Sequence, residues 1–418
     1  MDKKVISWAL YDWANSAFAT TVMAGFFPVF FKQYWSVGQA MTISTFQLGA
    51  ANSLASIVIA LLAPVLGAIA DTGGSRKKFL LFFAAMGIVM TGSLHFVQRG
   101  QWEFAVTLYV LATIGFSGGN IFYDALIVSV APAAKMDFVS AFGFALGYLG
   151  GGILFAVNVV MTLMPAQFGL LDSAQAVRIS FVMVAIWWAV FSIPLLVFVQ
   201  EPGNRLGAER KSVLLAGLRQ LAATFREVRK LRVVCLFLVG YWLYIDGVDT
   251  IIRMAVDYGL SLGFSSKSLL LALLLTQFVG FPAAIGFGKI GERFGPKTGI
   301  YLALGVYLAV TVWGYFMRRE LEFYLLAVAV GLVQGGVQSL SRSLFTRIIP
   351  ARQAAEFFGF YNLLGKFAAV IGPVLMGWVG VLVGNSRASI LAVGLLILSG
   401  GTILYFVDEQ EGRRLALQ

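Results

Sequence analysis

A few ionisable residues interrupt otherwise apolar stretches of this 418-residue chain: Asp12, Asp124, Asp246, Asp249, Arg253, Arg342 and Lys366. Charge in such surroundings is costly to keep, so each carries a functional reading by default. Carboxylates and bases placed this way can hold a charged small molecule, or a carboxylate can alternate between protonated and ionised forms as its surroundings change. Spacing groups them further. Asp12 and Asn15 are three residues apart and share a helix face, while Asp246, Asp249 and Arg253 fall on one stripe. On this reading Arg342 and Lys366 attract an anionic group such as a carboxylate. Asp246, Asp249 or Asp124 then carries a coupling proton or meets an amine. Asp12 is as well placed to be a gate partner as a ligand. The competing reading is a set of internal salt bridges, for example Asp249 with Arg253. Tyr11, Trp13, Tyr123, Tyr241, Trp242, Tyr244 and Tyr361 neighbour these charges and are candidate cavity walls. Asn120, Gln334, Gln338 and Asn362 are candidate polar groups beside them.

Other chemistries are excluded by what the chain lacks. Cys235 is its one cysteine and His95 its one histidine, so no internal disulfide and no His/Cys metal centre can form. No G-x-x-x-x-G-K-[ST] phosphate loop is present. No nucleophile–base pair stands out either, so an enzyme is not expected, nor a cofactor or a bound metal. The acids form no dense oxygen cluster, which favours protons over sodium as the coupling ion. His95 falls near the end of a span, far from the other charges, and is not the proton carrier on this reading.

The elements that must position these residues are membrane spans. Only 12% of the residues are charged and 59% are hydrophobic, with a mean hydropathy of +0.85. A soluble chain carries about twice that charge. The net charge of +11 sits in short loops between apolar runs, which points away from nucleic acid. About 20 apolar residues cross a bilayer. Twelve runs qualify, at 5–31, 43–70, 79–97, 103–131, 138–163, 178–199, 233–257, 266–288, 298–317, 322–348, 355–383 and 387–407. Asp12 interrupts the first run, which argues against a cleaved signal peptide. Lys and Arg are concentrated in alternate loops, in the central segment and near both termini, so both termini and that segment are expected in the cytoplasm. The central segment, 200–232, places Leu214, Leu218, Leu221, Phe225 and Val228 at three- and four-residue spacing, with most of its bases off that stripe. It reads as an amphipathic tether on the membrane face between an N-terminal unit, 1–199, and a C-terminal unit, 233–418. Gly143, Gly147 and Gly151 form a small-residue face suited to helix packing.

The second unit repeats the first. Gly67, Asp71, Gly74 and Arg76 after the second span recur in order and spacing as Gly288, Glu292, Gly295 and Lys297 after the eighth. Trp8, Asp12, Asn15 and Ser16 correspond to Trp242, Asp246, Asp249 and Thr250. The motif Phe142, Gly143, Phe144 corresponds to Phe358, Gly359, Phe360, and the pair Gly118, Gly119 to Gly335, Gly336. Twelve spans in two parallel halves, with a Gly-x-x-x-Asp-x-x-Gly-x-[Arg/Lys] loop after the second span, resemble the major facilitator superfamily of transporters. The opening string through Trp8, Tyr11, Asp12, Trp13, Asn15, Ser16, Phe18, Thr20 and Thr21, continued by Gly25 and Pro28, narrows the likeness. So do the run 71–78 and the tail 407–414. Together they resemble the "unidentified major facilitator" family, bacterial relatives of the fungal vacuole effluxers that act in autophagy. The resemblance implies an all-α membrane protein of two pseudo-symmetric six-helix bundles, with spans 1, 4, 7 and 10 lining a central cavity. It implies that Asp71 and Arg76 latch the halves in one conformation. It also implies alternating access and, from the fungal relatives, export of a small polar or zwitterionic metabolite such as an amino acid. The expected partners are a small-molecule substrate, a coupling proton and membrane lipid, with no nucleic acid and a monomeric chain in a bacterial-type plasma membrane. A carrier of a larger amphiphile (a peptide, muropeptide or lipid-like molecule) is the alternative, and a non-transporting receptor or scaffold the more remote one.

Overall fold

A computed structural model describes residues 2–39, 41–73, 76–201, 232–362, 364–365, 372, 375, 379 and 386–416. Among these residues every regular element is helical. Helix α1 spans Lys3–Trp35, α2 Met41–Gly73, α3 Arg76–Ser93, α4 Trp102–Val130, α5 Met136–Leu163 and α6 Ser173–Phe198. After the central segment come α7 Arg232–Ser261, α8 Ser266–Phe294, α9 Pro296–Phe316 and α10 Glu320–Ile348. Residues 354–362 begin α11, α12 spans Ser386–Tyr405, and α13 spans Glu409–Ala416. Ten described helices are long and apolar enough to cross a membrane, and α12 with α13 passes as a pair bent by 65°. Most of the expected eleventh span, 355–383, lies outside the described residues, as does the amphipathic tether expected within 200–232.

Local chemistry sets the ends of these elements. Asp2 caps α1, its carboxylate accepting from Lys4 N at 3.2 Å, and Asp172 caps α6 through Gln175 N at 2.7 Å. Gly295, at φ 85°, turns the chain sharply between α8 and α9, and Pro296 opens α9 where its missing N–H costs nothing. The first span runs past its expected end at residue 31 to Trp35. It includes π-helical turns at Phe18–Phe26 and Phe31–Trp35. α13 was not foreseen at all, being short and polar.

Packing separates a lipid-facing surface from a tight interior. Leu61, Phe82, Leu163 and Leu395 are all more than 60% exposed, as side chains that meet lipid tails must be. Inside, small residues let backbones approach. A Cβ on Gly115 of α4 would lie 2.6 Å from Phe83 O of α3, and one on Gly400 of α12 would lie 2.6 Å from Gly240 O of α7. The helices before residue 201 meet those after 232 chiefly where α5 packs on α8 and α10. Gly288 of α8 faces Ala141, and Gly280 faces the Tyr148 ring. Both chain ends lie on one face of the protein. Lys3 sits 3.6 Å over the Phe198 ring at the end of α6, and Gly412 of α13 packs on Ile348 and Val233.

Candidate transport site and its latch

Between the two sets of helices lies a polar cavity of about 190 Å³. Asp12 of α1, and Asn120, Tyr123 and Asp124 of α4, form one side with Phe144 of α5. Tyr241, Ile245 and Asp249 of α7, Gln338 and Arg342 of α10, and Tyr361, Asn362 and Gly365 complete it. The chain therefore brings Asp12, Asp124, Asp249, Gln338 and Arg342 to one space from four different helices.

Arg342 is the knot of this arrangement. It is 2% exposed, and its donors point across the bundle boundary. Nη1 pairs with Asp124 Oδ1 at 2.9 Å, Nε donates to Ser140 Oγ at 2.9 Å, and Nη2 donates to Ser140 O at 2.7 Å. The guanidinium also lies 4.3 Å from the Phe144 ring centroid, 5.0 Å from that of Trp8 and 5.6 Å from that of Tyr123. Charge-assisted hydrogen bonds and three aromatic faces compensate the desolvation of this cation. Trp8 and Tyr123 are themselves stacked at 4.5 Å, and Trp8 Nε1 donates to Tyr123 O at 3.0 Å. Arg342 thus gives three of its donors to the opposite bundle while its side chain still lines the cavity.

The carboxylates differ in setting. Asp124 accepts from Arg342 and, at 3.4 Å, from Asn362 Nδ2. Asp12 accepts from two hydroxyls at 3.3 Å, those of Ser16 and Tyr123, and no salt bridge to it appears among the described residues. Asp246 is 1% exposed and does not line the cavity. Its Oδ1 accepts from Gly372 N at 3.0 Å and from Thr250 Oγ1 at 3.4 Å, which turns it toward the eleventh span. Asn15 lies behind the wall, bonded to Asn120 at 2.5 Å. Tyr11 packs behind Tyr123, and Tyr244 bonds Ser341 Oγ at 2.7 Å, so neither faces the cavity. Trp242 packs on the apolar core, whereas Tyr123, Tyr241 and Tyr361 do line the space. Gln338 accepts from Tyr148 of α5 at 3.2 Å. The Arg253 side chain and Lys366 lie outside the described residues.

On the face that carries the termini the two bundles are latched. A Cβ on Gly67 would lie 2.8 Å from Glu356 Cα, so only glycine allows this approach. Asp71 accepts from Arg76 Nε at 2.7 Å and from Glu356 N at 2.9 Å, and Arg76 Nη2 donates to Ala351 O at 3.1 Å. Gly74 lies outside the described residues. Glu292, the repeat partner of Asp71, is exposed. A second latch was missed by sequence reasoning. Buried Asp137 of α5 pairs with Arg347 of α10 at 2.5 Å and accepts a short hydrogen bond from Ser343, while Arg347 also reaches Glu409 of α13 at 3.4 Å. Its one sequence signal is weak, because charges near helix ends read as ordinary loop residues. No group of three or more His, Cys, Asp or Glu among the described residues could hold a metal ion.

Helical spans in two bundles, a polar cavity between them and latches across one face define a membrane transporter of the major facilitator superfamily. Within that class the chain belongs to the family described as "Vacuole effluxer Atg22 like", which matches residues 37–136 and 129–417. It is 40% identical over 410 residues to the uncharacterized MFS-type transporter YxiO of Bacillus subtilis (strain 168), across 98% of this chain and 95% of that one. Autophagy-related protein 22 of Yarrowia lipolytica (strain CLIB 122 / E 150) is 24% identical over 431 residues, 82% of this chain and 72% of that one. Among solved structures, the proton:xylose symporter XylE superposes with a TM-score of 0.73 at 13% identity, over 98% of this chain and 96% of that one. FucP in the outward conformation gives 0.71 at 12% identity, over 97% and 100%. These two likenesses show the fold. The relatives are transporters and not enzymes, and the chain is a multi-pass membrane transporter that acts on small molecules.

Proposed function

We propose that this transporter works by alternating access and couples protons to the export of a small polar or zwitterionic metabolite, such as an amino acid. The observation that carries the reading is the Asp124–Arg342 pair, which stands in the cavity wall and joins the two bundles at once. Adding a proton to Asp124 removes the charge that Arg342 meets. Proton uptake would then loosen a cross-bundle contact, which is the linkage coupled transport requires. The Asp12 carboxylate, which among the described residues accepts from two hydroxyls at 3.3 Å and meets no salt-bridge partner, is the second candidate for proton exchange. Asp249, on the wall formed by α7, is the group that meets a substrate amine. The direction of transport rests on the family's effluxer description.

In this reading residues 1–199 and 233–418 rock as two units joined by 200–232, a monomer suffices, and the face with the termini and latches is cytoplasmic, in a bacterial plasma membrane. The positive loops support that orientation.

The test is transport in proteoliposomes under an imposed pH gradient, with a pooled labelled amino-acid load. Wild type should move label with the gradient, Asp124→Asn and Asp12→Asn should lose gradient dependence, and Asp246→Asn, off the cavity wall, should keep it. Equal movement with and without the gradient would sink proton coupling. No movement of any amino acid by folded protein would sink the amino-acid assignment.

A further inference from the structure

Two amides line the polar cavity from opposite bundles, Asn120 of α4 and Gln338 of α10. The internal repeat places them alike. Asn120 stands four residues before Asp124 and twelve before Pro132, and Gln338 stands four before Arg342 and twelve before Pro350. Residues four apart share a helix face and lie about 6 Å apart along its axis. Asp124 and Arg342 themselves meet at 2.9 Å. The amides therefore flank the same gap between α4 and α10, one turn farther from the face that carries the termini.

Each amide is tied from behind through its oxygen. Asn15 Nδ2 donates to Asn120 Oδ1 at 2.5 Å, and the Tyr148 hydroxyl donates to Gln338 Oε1 at 3.2 Å. Asn15 and Tyr148 are both buried, so these ties are shielded from water. The second tie crosses the bundle boundary, with the Tyr148 ring set in a slot between two glycines. A Cβ on Gly280 would come within 3.2 Å of that ring, and one on Gly335 within 2.8 Å. Neither amide makes another hydrogen bond among the described residues. Nor is either nitrogen sealed in the wall as an unpartnered buried atom, so both open onto the cavity. An amide nitrogen carries two N–H donors. Two such groups can share an acceptor, whereas an ammonium, all donors, has nothing to offer them. At about 190 Å³ the cavity has room for a small organic group, since a cavity of about 150 Å³ takes a whole benzene.

We propose that Asn120 and Gln338 form an amide clamp for an acceptor-only oxygen group of the substrate, a carboxylate or a carbonyl, gripped from both bundles at once. The proposal rests on the polar cavity being the substrate site, and it names the group by which the substrate is anchored there. A group held in this way bridges α4 and α10 beside the Asp124–Arg342 contact. Its arrival draws the bundles together at the place where a proton on Asp124 loosens them.

The test is a binding titration of the full chain in lipid nanodiscs, read by ligand-detected NMR, with three probes of equal length. Butyrate and methyl butyrate offer acceptors and no polar donor, and butylammonium offers donors and no acceptor. Wild type should bind butyrate, methyl butyrate or both saturably. Asn120→Leu and Gln338→Met, one in each bundle, should each weaken butyrate about tenfold or more and methyl butyrate about threefold or more. Any binding of butylammonium should change less than about threefold. Partition of a probe into the lipid is common to all variants and cancels in the comparison. Tighter binding of butyrate assigns a carboxylate to the clamp, and tighter binding of methyl butyrate a carbonyl. No saturable binding of either acceptor probe to wild type, or a loss in only one of the two variants, would overturn the proposal. So would a loss confined to butylammonium, which would mean that the amides turn their oxygens to the cavity. If Asn120→Leu does not fold, Asn120→Ala removes the same donors without filling the site. Because the readout is binding, the result stands apart from transport. Acceptor binding without gradient-driven movement would defeat the coupled-export reading alone, and amino-acid export that survives both substitutions would defeat this proposal alone.

Discussion

The loop after α2 and the loop after α8 share one pattern of glycine, acid, glycine and base, yet the protein uses their acids in opposite ways. Asp71 is engaged at 2.7 Å by Arg76 and at 2.9 Å by Glu356 N, across the bundle boundary. Glu292 is exposed. The second loop crosses the boundary through its glycines, for a Cβ on Gly288 would meet Ala141 Cβ at 2.8 Å and one on Gly291 would meet Asp137 Cβ at 2.9 Å. The charge at that crossing comes from Asp137 and Arg347. The bases, in contrast, do equivalent work. Lys77 Nζ donates to Leu196 O and Val199 O at 2.7 and 2.6 Å, and Lys297 Nζ donates to Tyr405 O and Val407 O, both at 2.9 Å. Each closes the carbonyl end of the last span in its own bundle. Arg76 occupies the repeat position of Lys297, so in the first loop the capping task has moved one residue on, to Lys77. Repetition thus preserves close backbone approach and helix capping, while an interfacial charge can pass to a neighbouring helix.

The largest effect should come from breaking the second latch. Arg347→Met leaves Asp137 buried with no exposed side-chain surface and without its cation. Removing one partner of a buried pair costs about 3–5 kcal/mol, here borne by the latched state. A cysteine at Gly365, in a Cys235→Ser background, reports the change. A Cβ there meets nothing closer than the Tyr241 hydroxyl at 3.6 Å. Alkylation by an impermeant maleimide applied on the termini face should rise more than tenfold in Arg347→Met. It should rise in Asp71→Asn as well, and stay within twofold in Glu292→Gln. A response of Glu292→Gln as large as that of Asp71→Asn would erase the contrast between the loops.

The glycines give the next effect. Gly67→Leu must push a side chain against the Ala355–Glu356 backbone, which has no rotamer with which to yield. Overpacking of this kind costs about 1–3 kcal/mol. Gly286→Leu, near the second loop, has nothing within 4 Å of its Cβ and should leave both transport and thermal unfolding unchanged. Transport by Gly67→Leu at the wild-type rate would show that the first loop does not need this close approach.

Much of this was legible in the residues, and the rest was hidden for definable reasons. Span positions followed from runs long enough to cross a bilayer, since each backbone donor there must be satisfied within a helix. Asp12, Asp124, Asp249, Gln338 and Arg342 meet because spans 1, 4, 7 and 10 face one another. Asp246 was misplaced because a shared stripe is not a shared direction. Three residues turn a helix through about 300°, and the remaining 60° is enough to aim Asp249 at the cavity and Asp246 at Gly372 N. The partnership of Asp124 and Arg342 was encoded more quietly. Each stands eight residues before a proline, Pro132 and Pro350, that ends equivalent helices. The repeat thus brings one acid and one base to matching depth. Asp137, Arg347 and Glu409 escaped notice because helix-end charges look alike until tertiary contact selects among them.

The smallest effect tests the part of the repeat that stayed equivalent. Lys77→Met and Lys297→Met each remove one cation from two carbonyls at the end of a span. A cation at a helix C-terminus contributes about 0.3–1 kcal/mol. Both variants should therefore lower the thermal midpoint by a small amount, with Lys77→Met the larger of the two because its contacts are shorter. The sites belong to different bundles and share no partner among the described residues, so the double variant should lose the sum of the two within about 0.5 kcal/mol. Calorimetry of the purified chain in one detergent measures all four proteins. A double variant that loses far more than the sum would mean the caps are coupled through the bundle boundary. The bases would then belong to the latch, and the two loops would differ in their acids and their bases alike.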